Sequence, residues 1–179
     1  MKFPRIYLAG FMGSGKSTVG RMVAHLFRWP FKDLDDMITS QAGMSIPEIF
    51  QKEGEATFRR MEVEAVRKST ENPGVIALGG GTLLNKESRE LLLASGTLVY
   101  LRATPETLTH RLQARADNRP VLKGEGELQD RIGAILEERA EIYAIAHWAV
   151  DTDKLSPEQA AGIIYNLVMY GLTMDAIDD

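Results

Sequence analysis

Short apolar runs alternate along the chain with longer segments whose apolar residues repeat every three to four positions. Ile6-Tyr7-Leu8-Ala9 is a continuous apolar run of strand length. Beyond it, Val19, Met22, Val23, Leu26 and Phe27 recur at i, i+3, i+4, i+7 and i+8, one face of a helix that begins at about Lys16. Further apolar runs at 75–78, 97–101 and 148–150, with a weaker one at 31–34, predict four more strands. Ser45-Ile46-Pro47-Glu48 has the spacing of a capping box with Pro47 near a helix start, and a longer helix is predicted over about 55–69. These two helices form an insertion between the second and third strands. The last helix, over about 156–170, carries Ala160, Ile163, Ile164, Leu167 and Val168 on one face, and 172–179 reads as a frayed acidic tail. Strands alternating with helices imply an α/β fold with a parallel sheet covered on both faces, whose ligands lie at the carboxyl ends of the strands.

Composition narrows this to a single domain over 1–179, since 179 residues with 44% hydrophobic and 26% charged residues suit one sizeable core. A net charge of −4 and a pI near 5.5 argue against nucleic acid or an anionic membrane held by bulk electrostatics, so an anion site has to be local. The absence of cysteine excludes disulfides, thiolate zinc sites and thiol nucleophiles. No segment has the apolar length of a signal peptide or membrane span, and the expected location is the cytoplasm, as a monomer.

The run Gly10-Phe11-Met12-Gly13-Ser14-Gly15-Lys16-Ser17 fits the phosphate-loop pattern G-x-x-x-x-G-K-[ST] and stands between the first strand and the first helix, the order that the chemistry needs. Glycines let successive N–H groups turn toward an anionic phosphate and the helix start adds a positive dipole. Lys16 reaches the outer phosphates, and Ser17 offers a hydroxyl to Mg²⁺. Asp33 and Asp35, two apart at a predicted strand end, share a face by strand alternation. They suit division between a metal and an acceptor hydroxyl, or simply cap the next helix. Gly79-Gly80-Gly81 follows a buried strand directly and admits a ligand where any side chain would block it. Arg59, Arg111, Arg115, Arg119, Arg131 and Arg139 supply cationic forks, with Arg59 also able to pair with Glu55 or Glu62 on the helix surface. Pro120, Gly124 and Gly126 among charged residues mark a lid over about 112–127, and Arg119 lies inside it. His25, His110 and His147 form no metal or triad pattern. A GTPase reading lacks its base-recognition motif, because Asn85-Lys86-Glu87-Ser88 has no aspartate and Asp130-Arg131-Ile132-Gly133 falls within a helical pattern.

Taken in order, the phosphate loop, Asp33-Leu34-Asp35 with Ile38, Phe58-Arg59 with Glu62, Gly79-Gly80-Gly81, Arg119-Pro120, and Arg139 with Tyr143 resemble shikimate kinases, over about residues 6–168. The resemblance implies a P-loop kinase three-layer fold: a five-stranded parallel sheet in order 2-3-1-4-5, a substrate-binding insertion over about 33–61 and a lid. It also implies transfer of the γ-phosphoryl group of MgATP to the 3-hydroxyl of shikimate, a step of chorismate and aromatic amino acid biosynthesis. ATP would be held by Gly13, Ser14, Gly15, Lys16, Ser17, Thr18, Arg115, Arg119 and Lys154, and shikimate by Asp35, Arg59, Gly79, Gly80, Gly81 and Arg139. Mg²⁺ would sit on Ser17 and, through water, Asp33, while Lys16, Asp35 and Arg119 carry the chemistry. Arg119-Pro120-Val121-Leu122 departs mildly from the family's usual R-P-L-L. The alternatives are a kinase for another small acceptor such as gluconate, a nucleoside-monophosphate kinase, and a nucleotide-binding relative without catalysis.

Overall fold

The computed structural model describes residues 5–113 and 127–175. Arg115, Arg119 and most of the predicted lid lie outside them.

Five parallel strands form one sheet in the order β2-β3-β1-β4-β5. They are β1 (Arg5–Ala9), β2 (Phe31–Asp33), β3 (Gly74–Ala77), β4 (Thr97–Arg102) and β5 (Trp148–Asp151). β1 runs between β3 and β4, with Tyr7 in register with both Ile76 and Leu98. Strand alternation divides the core into two layers. Tyr7, Ala9, Ile76 and Leu98 face one side, against α2 (Leu34–Ala42), α3 (Ile46–Ser69) and α4 (Lys86–Ser95), through Leu34, Ile38, Ile49, Phe58, Val66 and Leu92. Ile6, Leu8, Val75, Val99 and Leu101 face the other, against α1 (Lys16–Phe27) and α8 (Pro157–Asp175), through Val19, Val23, Ala160, Ile164 and Val168. Each fully buried aliphatic side chain of this kind contributes about 1.5–3 kcal/mol. The central strand is therefore buried and apolar from Ile6 to Ala9, because helices cover both of its faces. A smaller cluster of Phe11, Ala103, Leu108, Leu112 and Ile132 joins the phosphate loop to α5 (Pro105–Gln113) and α6 (Leu128–Glu138). A short α7 (Ala140–Tyr143) follows.

Of three boundaries, one agrees with expectation and two differ. The capping box at Ser45 and Glu48 is present, and the two predicted helices are found as the two halves of α3, separated by a non-helical kink at Gly54, where φ is 80° and ψ 165°. A glycine at positive φ with extended ψ ends the first helical path and redirects the chain into the second, which starts where the pattern predicts. Asp33 and Asp35 do not alternate along a strand. The chain is already helical at Leu34, and Asp33 caps α2 by accepting from the Asp35 amide at 3.1 Å. Finally, helical backbone in α8 runs to Asp175, over the first residues of the predicted tail, because no proline interrupts 158–175 and α8 packs along α1. Residues 176–179 lie outside the described ones.

Candidate active site

Every strand delivers its following loop to the same edge of the sheet, and the crevice opens beside β1, where the connection after β1 runs to β2 on one side and the one after β3 crosses to β4 on the other. The loop after β1 turns through positive φ at Gly10, Gly13 and Gly15, at 148°, 82° and 97°. That geometry points backbone N–H groups inward at the start of α1. Lys16 folds over the loop and donates to the carbonyl oxygens of Gly10 and Phe11 at 2.9 and 3.0 Å, which holds its ammonium at the mouth. Ser17 Oγ donates to Asp33 Oδ2 at 2.6 Å. Asp33 thus serves both as helix cap and as partner of the loop hydroxyl. This oxygen-only pair suits Mg²⁺, which keeps most of its shell as water and phosphate oxygen. Among the described residues no group of three His, Cys, Asp or Glu forms a self-sufficient metal cage.

Beside the loop, a cavity of about 390 Å³ is lined by Gly15, Thr18, Arg111, Thr152, Leu155 and Pro157. Arg111 is clamped flat by Thr152, donating to its Oγ1 at 3.1 Å and to its carbonyl at 2.6 Å. Thr152 is buried and its hydroxyl is tied to the Arg102 carbonyl at 3.0 Å, so the guanidinium plane is referenced to the sheet. Asp153 accepts from the Thr104 amide and hydroxyl at 2.9 and 3.2 Å. Burial opposes its charge, but these hydrogen bonds, one from Thr107 and the nearby Arg111 outweigh that and hold its carboxyl below the ordinary value. Lys154 is exposed and does not line the cavity, whereas Leu155 and Pro157 do. A larger open groove of about 490 Å³ between α1 and α8 meets this region only at Ser17 and Thr18 and continues over Met22, His25 and Leu26, away from the sheet edge.

On the other side of the loop the glycine triplet gathers the remaining groups. A Cβ at Gly79 would lie 2.9 Å from Asp35 Oδ1, one at Gly81 would lie 2.9 Å from Arg59 Nη1, and one at Gly80 would approach the Met12 amide at 3.9 Å. Gly79 and Gly81 therefore let Asp35 and Arg59 come against the backbone where any side chain would push them away. Arg139, at the junction of α6 and α7, donates Nη1 to the Gly80 carbonyl at 2.8 Å, and its guanidinium carbon stands 6.0 Å from the Phe11 ring centroid. Tyr143 stacks on Tyr100 with centroids 4.4 Å apart. Burial raises the Tyr143 hydroxyl against the opposing Arg139 charge. Burial and the Tyr143 neighbour push Tyr100 up to about 12, so this stacked pair beneath the site stays neutral.

Arg59 donates to Glu62 at 2.9 Å and to Glu55 at 3.1 and 3.3 Å. Glu62 is 2% exposed, while the Glu55 side chain is 66% exposed. The buried partner fixes the fork and the exposed one adds little. Burial disfavours the Arg59 charge, but the two glutamates more than offset it and raise the guanidinium above its ordinary pKa. Two arginine forks, one carboxylate and a glycine backbone thus converge beside a phosphate loop, an arrangement for a small polyhydroxylated anion next to a nucleotide. The sequence gives no role to Thr82, Thr152, Leu155 or Pro157. Glu62 is signalled only by its i+3 spacing from Arg59, and Arg111 only by being an arginine.

The shikimate kinase family model matches residues 12–168. A shikimate kinase from Chlorobium limicola is 46% identical over 156 residues, which span 83% of this chain and 78% of that protein. The structure of shikimate kinase from Acinetobacter baumannii in complex with shikimate superposes with a TM-score of 0.87 at 36% identity, covering 94% of each chain. A gluconokinase from Sinorhizobium meliloti is similar at a TM-score of 0.58 and 18% identity, covering 98% of this chain and 99% of that one, a likeness of fold alone. On the family match, the sequence identity and the shared sheet topology, the chain belongs to the shikimate kinase family.

Proposed function

We propose that this protein transfers the γ-phosphoryl group of ATP to the 3-hydroxyl of shikimate, giving shikimate 3-phosphate and ADP. The observation that carries this reading is the convergence of Asp35, Arg59 and Arg139 on Gly79-Gly80-Gly81, one loop away from Lys16. Shikimate has one carboxylate and three hydroxyls. Arg59 and Arg139 clamp the carboxylate, and Asp35 accepts from the ring hydroxyls. Asp35 orients the 3-hydroxyl for in-line attack on the γ-phosphorus and takes its proton as the bond forms. Lys16, with Arg119 from the lid, lies on the phosphoryl oxygens and offsets the charge that shifts toward the leaving ADP. Ser17 and, through water, Asp33 would hold Mg²⁺, which when bound would supply positive charge to the ATP phosphates.

The cavity beside the loop takes the nucleoside, with Arg111 on one face of the base and Leu155 and Pro157 on the other. By the family resemblance Arg115 would stand beside the adenine, with a residue near Lys154 on its other side. The chain works as one domain, with a substrate region over about 33–61 and a lid over about 112–127. It is a cytoplasmic monomer without nucleic-acid or membrane partners; among the described residues no helix is long and apolar enough to cross a membrane. The test is to run the protein with MgATP and shikimate and assign the product by ³¹P and ¹H NMR. A phosphate monoester coupled to the proton on C3 is expected. A monoester at another carbon, or inorganic phosphate alone, would contradict the proposed geometry.

A further inference from the structure

We propose that Thr82 is a positioning residue for the acceptor, acting through Glu62 on Arg59. The inference rests on the reading of Arg59 as part of the carboxylate clamp. Thr82 opens the 3₁₀ turn Thr82–Leu84 that follows the glycine triplet, and it is completely buried. Its backbone is fixed there, with its amide donating to the Gly79 carbonyl at 3.2 Å and its carbonyl accepting from Asn85 at 3.4 Å. Its hydroxyl donates to Glu62 Oε1 at 2.8 Å, and Glu62 Oε2 accepts from Arg59 Nη1 at 2.9 Å.

A threonine hydroxyl has one proton to give, and here it goes to a carboxylate that is itself almost wholly out of water. A buried carboxylate is costly unless both oxygens are satisfied, so the Thr82 hydroxyl decides which way the Glu62 carboxyl plane faces. That plane in turn sets the fork of Arg59, because the other partner, Glu55, is largely exposed and holds it weakly. The same hydroxyl lies at the glycine loop. The point where a Gly79 Cβ would stand is 3.0 Å from Thr82 Oγ1, 3.1 Å from Glu62 Oε1 and 2.9 Å from Asp35 Oδ1. Thr82 therefore ties the arginine on α3 to the loop that carries the acceptor, and keeps Arg59 in register with Asp35. Without the hydroxyl, Glu62 Oε1 loses its buried donor and the carboxylate turns, drawing Arg59 off line.

Steady-state kinetics of Thr82→Val, Thr82→Ser and Arg59→Lys, with the Thr82→Val/Arg59→Lys double variant, test this, with circular dichroism checking each fold. Valine keeps the shape and removes the hydroxyl, whereas serine keeps the hydroxyl. Thr82→Val is expected to raise the KM for shikimate by about five- to tenfold, with the KM for ATP within about twofold, the range for the net loss of one ordinary hydrogen bond, because the hydroxyl acts on the acceptor only through Glu62 and Arg59. Thr82→Ser should stay within about twofold of the parent for both substrates, and the double variant should be less impaired than the product of the single effects. If Thr82→Val does not fold, Thr82→Ala carries the same expectation. Equal rises in both KM values, a serine variant as impaired as valine, or independent effects in the double variant would each overturn the role of Thr82. If Arg59→Lys itself leaves the KM for shikimate unchanged, the clamp reading fails instead, so the two failures are told apart.

Discussion

Lys16 sits within hydrogen-bond reach of two carbonyl oxygens of its own loop, a place its ammonium occupies only because Gly10, Gly13 and Gly15 hold conformations that side chains disfavour. Its contribution is charge at the phosphoryl oxygens, so Lys16→Met is expected to lower kcat by about 10²–10³-fold with the far-ultraviolet circular dichroism unchanged. Turnover near that of the parent protein would remove Lys16 from the chemistry. Gly79 is constrained by its neighbours, since a methyl group there would stand 2.9 Å from Asp35 Oδ1 and 3.1 Å from Glu62 Oε1. Gly79→Ala is expected to reduce kcat/KM for shikimate by about 100-fold, because small displacements of an orienting carboxylate are costly. The dissociation constant of ADP should move by no more than about threefold. Unaltered shikimate kinetics would show that Asp35 has room to move without loss.

Among the elements, the joint between β4, β5 and α5 is held by Asp153, which ties to Thr104 and faces Arg111. Its carboxyl titrates lower in the folded protein than in the unfolded chain, so the charged form stabilises the fold at and above the ordinary carboxyl range. That stabilisation disappears as the pH falls through the depressed folded value. Asp153→Ala should therefore unfold at lower denaturant than the parent at pH 7, with the difference narrowing as the pH is taken below about 4. A difference independent of pH would assign the effect to packing instead. The same joint illustrates what could be read before the fold. The strand runs, the phosphate loop and the glycine triplet are local patterns, and the sheet edge on which they meet follows from strand and helix alternation alone. The break within α3 at Gly54 was legible too, whereas the Asp33-Asp35 geometry escaped because a three-residue strand ends one residue earlier than its apolar run suggests. The roles of Arg111, Thr152 and Thr82 escaped for a different reason. Their roles come from partners 41 and 20 residues away, a separation at which spacing carries no signal.

For the whole molecule, a parallel sheet with β1 at its centre places the nucleotide cavity on the β4–β5 side of the phosphate loop and the arginine-lined site on the β2–β3 side. Transfer between the two needs little more than both substrates bound together with water excluded, which is the task of positioning rather than of covalent chemistry. On the proposed reading, acceptor choice lies with Arg59, Arg139 and Asp35, since the phosphate loop serves any P-loop kinase. The most direct test is ADP formation from MgATP with shikimate, gluconate or a nucleoside monophosphate as separate acceptors, each against a blank without acceptor. ADP release with shikimate, at a rate at least about 100-fold above that with either of the others, is the predicted result. Equal or greater turnover with gluconate or a nucleotide, or ATP binding with no response to any acceptor, would contradict the account of the arginine clamp and its carboxylate as a shikimate site.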